Sequence, residues 1–267
     1  KNLSLTISIT MYTDLEAKLH DTFWNQEDII SELPLLEKFH DKKPSLEIGC
    51  GSGRLLLPLL EKGHPIDGVE ISTEMVTLLH QNAEEQNLAT KLEESTIHTA
   101  DIVNLELQKT YQRVSIPAFT AQLLTRGDFH QLLRQIHAST TADGQLYMTL
   151  FIPWAEIAGE LNEGDWYLDH EAKLGDDKKT TAQCKTKFTI NRLHQTLSRK
   201  HQYIVTHPSG QKQQHRSSQE LQWYSYPELQ LLLATHGWKT EQLITDLEPE
   251  KAPHPDAHIL TIIAAKI

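Results

Sequence analysis

Gly49-Cys50-Gly51-Ser52-Gly53 stands between two apolar runs, and Glu70 ends a further apolar run seventeen positions after Gly53. Alternating glycines at a strand-to-helix turn gather backbone N–H groups and a positive helix end at one spot, with no side chain blocking close approach. That arrangement suits a nucleotide-like ligand. A carboxylate ending the neighbouring parallel strand, here Glu70, then lies beside the turn and can accept two ribose hydroxyls. Two common readings are excluded. A dinucleotide fingerprint needs a small residue where Arg54 stands, and a phosphate loop needs Gly-Lys-Ser or Gly-Lys-Thr, which is absent.

The series Glu47-x-Gly49-x-Gly51-x-Gly53 resembles the first motif of class I S-adenosylmethionine-dependent methyltransferases. GVEIS (Gly68 to Ser72) resembles their acidic second motif, and HTADI (His98 to Ile102) their third, with Asp101 as its acid. The resemblance implies S-adenosylmethionine as cofactor. Its methionine part would lie over Glu47, Gly49, Cys50, Gly51, Gly53 and Arg54, its ribose on Glu70, and its adenine between Ile71 and Ile102 with the amino group on Asp101. Tyr12 and Trp24 would sit in an N-terminal helix capping the ligand, Tyr12 toward cofactor and Trp24 toward substrate. The stretch YQRVSIPAFTAQLL (Tyr111 to Leu124) lacks the Asn/Asp-Pro-Pro-Tyr of enzymes that methylate DNA adenine or glutamine amides. It resembles the small-molecule branch, in which Phe119 and Gln122 would line the pocket.

The elements needed to position these residues follow from hydrophobic period and capping signals. Helices are predicted at 13–39, 53–62, 73–87 and 128–139, and strands at 44–48, 66–71, 96–100, 112–117 and 145–152. Alternation of this kind implies a doubly wound, Rossmann-like, seven-stranded and mostly parallel sheet. Between 155 and 224, polar, β-branched and aromatic residues alternate, which predicts antiparallel strands inserted as a lid. Ser225 and Glu228 form a capping-box pattern for a late helix, before strands at 240–245 and 258–265. The division expected is an arm and cap helix at 1–40, a cofactor-binding core at 41–154, the insertion at 155–224, and completion of the core at 225–267.

Methyl transfer from a sulfonium is an in-line displacement that asks chiefly for alignment and exclusion of water. Where the acceptor must lose a proton, His194, His201 or Tyr167 of the insertion could accept it. Trp154 and Tyr224 flank the insertion as pocket-wall candidates. From Lys178 to Gln219 there are nine Lys/Arg and no Asp or Glu, in a chain of net charge −11. Arg192 or Arg216 could therefore meet a carboxylate or other anion on the acceptor.

The same net charge argues against binding to nucleic acid or to anionic membranes. Two cysteines far apart, Cys50 and Cys184, give no disulfide framework and point to a reducing, cytoplasmic setting. The start, KNLSLTISITM, does not read as a signal peptide. No metal is expected: His254-x-x-x-His258 has a usable spacing, but Pro253 and Pro255 forbid the helix that would use it. A small-molecule substrate and a monomer or homodimer are the expected partners. Two other functions share the fold, aminopropyl transfer and cofactor binding without catalysis.

Overall fold

A computed structural model describes residues 12–24, 32–175 and 178–267. The N-terminal arm, 1–11, lies outside the described residues apart from Tyr12 at its edge. The single helix expected at 13–39 is two, α1 (Asp14–Trp24) and α2 (Leu33–His40), with 25–31 outside the described residues. Pro34 falls in the first turn of α2, where its missing N–H has no helical partner to lose.

The central sheet is built from β1 (Ser45–Ile48), β2 (Ile66–Glu70), β3 (Ile97–Thr99), β4 (Tyr111–Ile116), β5 (Thr140–Phe151), β10 (Trp238–Thr245) and β11 (Ile259–Lys266). Its order is β3-β2-β1-β4-β5-β11-β10, parallel except for β11. The crossovers are α3 (Leu56–Glu61), α4 (Thr73–Glu85) with α5 (Ala89–Glu93), and α6 (Arg126–Ala138). Strands β1 and β2 are buried along their whole length, as strands covered on both faces must be. One face packs Phe129, Leu133 and Ile136 of α6 with Trp238, and the other packs Leu36, Leu56 and Leu79 with Tyr147. Strand order reverses between the parallel neighbours β1 and β4, so the connections leaving their carboxyl ends go to opposite faces of the sheet and leave a crevice.

After β5 and the short α7 (Trp154–Ala158), the chain forms a second, antiparallel sheet: β6 (Tyr167–Leu174), β7 (Thr180–Asn191), β8 (Thr196–Thr206) and β9 (Lys212–Gln222). Its inner face is anchored at two places. Phe188, Leu197 and Leu221 pack with Phe151 and with Leu123 from the turn after β4. Leu15, Leu19 and Phe23 of α1 pack on Ala182, Cys184, Tyr203 and Val205. Helix α8 (Tyr226–Thr235) then opens with the expected reciprocal Ser225–Glu228 capping box. No helix among the described residues is long and apolar enough to cross a membrane.

Candidate active site

The glycine turn at the end of β1 is held from beneath. Gly49 and Cys50 donate their N–H groups to the Val69 carbonyl at 2.8 and 3.1 Å, and Gly53 donates to the Cys50 carbonyl at 2.9 Å. Gly51 N–H donates to Glu70 Oε2 at 3.0 Å. The turn therefore offers room more than it offers donors, which corrects the expectation of N–H groups converging on a ligand. Each of the three glycines has positive φ, but their surroundings differ. A Cβ on Gly49 would strike Thr120 at 2.5 Å, and one on Gly53 would strike Leu79 at 2.3 Å, so these two serve packing. At Gly51 the sole neighbour within 4 Å among the described residues is Met75 Cε at 3.3 Å. Gly51 is the open one.

Glu70 is 7% exposed, and its other oxygen accepts the Ser72 N–H at 2.8 Å. Burial raises its pKa against these backbone hydrogen bonds. Each oxygen keeps a lone pair for a hydroxyl donor. Ile71 beside it is an apolar side chain left 61% exposed by the described residues. Asp101 accepts the Val103 N–H at 3.0 Å and the Asn104 amide at 2.8 Å, at the start of a 3-10 turn. Ile102, expected as the second adenine wall, is 7% exposed and packs with Val103 in the core cluster.

Beneath the turn lies a group of buried charges. Glu47 is 1% exposed and is pushed up to about 8 by desolvation, against the pull of Arg54. Glu47 Oε2 and Arg54 Nε are buried without a hydrogen-bond partner among the described residues. Glu32, just before α2, accepts from the Tyr147 hydroxyl at 2.8 Å, from the Thr149 hydroxyl, and from the Ala118 N–H at 3.0 Å. Its pKa is raised by burial. Through Ala118 it braces a loop in which Ala118 and Phe119 both adopt left-handed backbone, at φ 51 and 66. Two consecutive non-glycine residues in that region mark a constrained site. Phe119 is half-buried, edge-on to Phe151 with ring centroids 5.2 Å apart.

Helix α1 closes the crevice by touching both the turn and the second sheet. Asp21 accepts from the Ser52 hydroxyl at 2.6 Å and from Asn82 at 3.0 Å. Burial opposes its ionisation, yet hydrogen bonds from His20, Ser52 and Asn82 hold its pKa below the usual value. Buried Glu16 accepts from the Tyr12 N–H at 2.9 Å, Ser217 at 2.9 Å and the Tyr203 hydroxyl at 3.3 Å. The Ser72 hydroxyl donates to the Tyr12 carbonyl at 2.8 Å. The Tyr12 phenol is raised well above its ordinary pKa by burial, then by Glu16 and Glu70, and its ring stands edge-on to His20 with centroids 5.6 Å apart.

The comparisons with known proteins agree with this geometry. The family model described as "Methyltransferase domain" matches residues 46–144. The chain carries a methyltransferase domain. The fold is that of several solved methyltransferases. The CcbJ methyltransferase from Streptomyces caelestis matches with a TM-score of 0.75 at 20% identity, over 96% of this chain and 98% of that one. The sugar N-methyltransferase KedS8 from Streptoalloteichus sp. matches with a TM-score of 0.65 at 16% identity, over 90% and 89%. CalS10, an amino pentose methyltransferase from Micromonospora echinaspora solved with S-adenosylmethionine bound, matches with a TM-score of 0.63 at 15% identity, over 88% and 89%. No curated protein sequence matches the chain.

The substrate-side expectations divide. Gln122 is fully buried, and its amide bonds the Phe151 and Gln222 carbonyls at 3.0 Å and the Phe151 N–H at 2.7 Å. It is a strut between the two sheets, with no polar atom left for a ligand. Tyr224 is 2% exposed, packs on Phe129 and lies under Arg126, so it is core. Arg192 is committed to the Ile157 and Glu156 carbonyls at 2.9 and 2.8 Å and to Glu163 at 3.2 Å, closing the end of α7. Arg216 is exposed and alternates with His215 and Ser217, whose side chains meet α1 residues, so it lies on the outer face.

His194 is exposed on the β7–β8 hairpin tip. Trp154 is 38% exposed and donates to the Ala257 carbonyl at 2.9 Å. Trp24, also 38% exposed, lies near His170 with ring centroids 5.7 Å apart.

The inner face instead presents Arg199, His201 and Gln219, with Tyr167 at its edge. Arg199 pairs with Glu156 at 3.0 Å and lies over the Phe151 ring at 5.1 Å. The Tyr167 phenol is pushed up to about 12 by burial. Arg199 was missed in the sequence because nine basic residues in one segment look alike until strand register assigns their faces. Glu32 and Glu16 were missed because nothing in a local pattern marks a carboxylate for burial.

Proposed function

We propose that this methyltransferase transfers the methyl group of S-adenosylmethionine to an amino or hydroxyl group of a small, hydroxyl-rich acceptor of the amino-sugar kind. The observation that carries the cofactor is the open Gly51 beside a carboxylate, Glu70, already oriented by the Gly51 and Ser72 N–H groups. The fit extends beneath the turn, where Glu47 and Arg54 each keep a buried polar atom unpartnered, suited to the ammonium and carboxylate of a methionine moiety. When bound, the cofactor supplies an electrophilic methyl carbon on a sulfonium. Glu70 holds the ribose, Ile71 covers one adenine face, and Asp101 accepts from the adenine amino group. Tyr12 and α1 exclude water from above.

The acceptor lies under the second sheet, which acts as a lid. Between its two apolar anchors the inner face presents polar side chains, and its guanidinium, Arg199, is paired with Glu156. That lining favours a neutral or zwitterionic polyol over a simple anion. Two of the methyltransferases of similar fold are named for a sugar and for an amino pentose acceptor, which supports the amino-sugar reading.

Calorimetry tests the cofactor: S-adenosylmethionine and its demethylated product both bind, and NAD does not. Incubation with methyl-labelled cofactor and a panel of amino sugars, hydroxylated amines and a metabolite extract, read by mass spectrometry, tests the acceptor. Labelled product is expected. Tight cofactor binding with no product from any acceptor would support a non-catalytic role.

A further inference from the structure

Asp169, Thr186 and His201 form a line of hydrogen bonds across three strands of the second sheet. Thr186 Oγ1 donates to Asp169 Oδ2 at 2.8 Å and lies 2.8 Å from His201 Nδ1. A hydroxyl has one proton, and Asp169 takes it, so Thr186 can only accept from His201. The His201 proton is thereby fixed on Nδ1, and Nε2 carries the lone pair. Asp169 reaches Thr186 because a bulge in β6 between Leu168 and His170 re-aims it.

His201 is 7% exposed, and Nε2 is buried with no hydrogen-bond partner of good geometry among the described residues. On the inner face of β8 it stands between Arg199, which lies over Phe151, and Tyr203, which donates to Glu16 of α1, with Gln219 of β9 beside the ring. The side chain thus faces the space between the second sheet and the core. Cys184, 3.9 Å from both Thr186 Oγ1 and His201 Nδ1, completes a set of metal-type donors with Asp169, but the Thr186 hydroxyl occupies the space they enclose.

We propose, on the methyltransferase reading above, that His201 Nε2 receives the proton leaving the acceptor, and that Thr186 and Asp169 are positioning residues fixing its tautomer. The acceptor's N–H or O–H donates to Nε2, which aims the adjacent lone pair at the methyl carbon. As that lone pair forms the new bond, the carbon–sulfur pair returns to sulfur, and the acidified proton passes to Nε2 and then to solvent. The groups facing His201 are Arg199 on its own strand, Asp169 and His170 on β6, Cys184 on β7 and Gln219 on β9. Burial and then Arg199 push His201 down to about 4, with Asp169 opposing, so the lone pair is present throughout the neutral range. Tyr167, at about 12, holds its proton there, and His194 stands on an exposed tip.

A long-range proton–nitrogen correlation spectrum, with His201 assigned by its loss in His201→Gln, reads the tautomer without any acceptor. The Nδ1-protonated form is expected in the wild type, and Thr186→Val should release it to a mixture. With glucosamine and the other amino sugars of the panel as probes, His201→Gln should lower kcat by roughly 10²–10⁴-fold while cofactor affinity holds. Thr186→Val should lower kcat at least about tenfold, and Thr186→Ser should restore it. An Nε2-protonated ring, or an active wild type matched by His201→Gln, overturns the assignment and leaves the methyltransferase reading standing. A wild type that binds cofactor and methylates nothing overturns both.

Discussion

Glu70 and Glu47 are both buried carboxylates near the same turn, and their partners separate their roles. Glu70 is held by two backbone N–H groups and keeps lone pairs for a ligand. Replacing it by Ala should weaken S-adenosylmethionine and its demethylated product equally, by roughly 1.5–3 kcal/mol per hydrogen bond to the charged group. Calorimetry on both ligands checks this, and unchanged affinity would place the ribose elsewhere. Glu47 has a raised folded-state pKa, about 8 against an ordinary 4.5. Between those values the unfolded chain has lost a proton that the folded protein keeps, so stability falls as pH rises through the interval. Glu47→Gln should flatten that fall, seen as a melting temperature less dependent on pH between about 5 and 8. A wild type and variant with parallel pH profiles would mean that Arg54 keeps Glu47 ionised. The glycine turn and Glu70 were legible in the sequence because strand, turn and following strand fix their relative places locally. Glu32 was not, since its partners come from the loop after β4 and from β5, 86 residues or more away in the chain.

At the scale of elements, the strand–helix alternation was readable from period and caps, and Ser225 with Glu228 marked α8 correctly. The run 13–39 misled because apolar spacing alone does not register the break at Glu32, where α2 begins with Pro34 in its first turn. The basic insertion was read as antiparallel strands, yet which side chains faced inward awaited the register of β7, β8 and β9. Helix α1 is the element on which cap and lid meet, through Leu15, Leu19 and Phe23 on the sheet and Asp21 on the turn. Phe23→Ala should cost about 3–5 kcal/mol in local packing. Hydrogen exchange should then rise in α1 and in the β7–β8 pair while β1 and β4 stay protected, and cofactor affinity should drop. Uniform loss of protection would show that α1 and the core unfold as one unit. Gly51→Val tests the opposite wall. A branched side chain at φ +53 would fill the open side of the turn, blocking the cofactor while circular dichroism stays that of a folded protein. Gly53→Val, which would overlap Leu79 and Leu57, should lower stability instead.

The whole molecule carries a charge of −11, whereas the segment Lys178 to Gln219 of the second sheet is basic, and register divides that sheet into two unlike faces. Lys185, Lys187, Lys200 and Arg216 share the outer face, whereas Arg199 lies inward, over Phe151 and beside Glu156. Outer cations act on an acceptor only through solvent, where charges are screened within about 8 Å at physiological ionic strength. Arg199 acts inside the crevice, where the same charge is screened far less. Arg216→Ala should therefore leave the acceptor's KM and the cofactor's affinity unchanged. Arg199→Ala, examined together with Arg199→Ala/Glu156→Ala so that no carboxylate is left buried and unpaired, should raise KM about tenfold or more in both backgrounds. Cofactor affinity, governed by residues at the other wall, should hold. Moderate salt should change KM little. A KM that climbs steeply with salt and follows Arg216 would mean that the outer face draws the acceptor in, and the inner face would then lose its claim to acceptor choice.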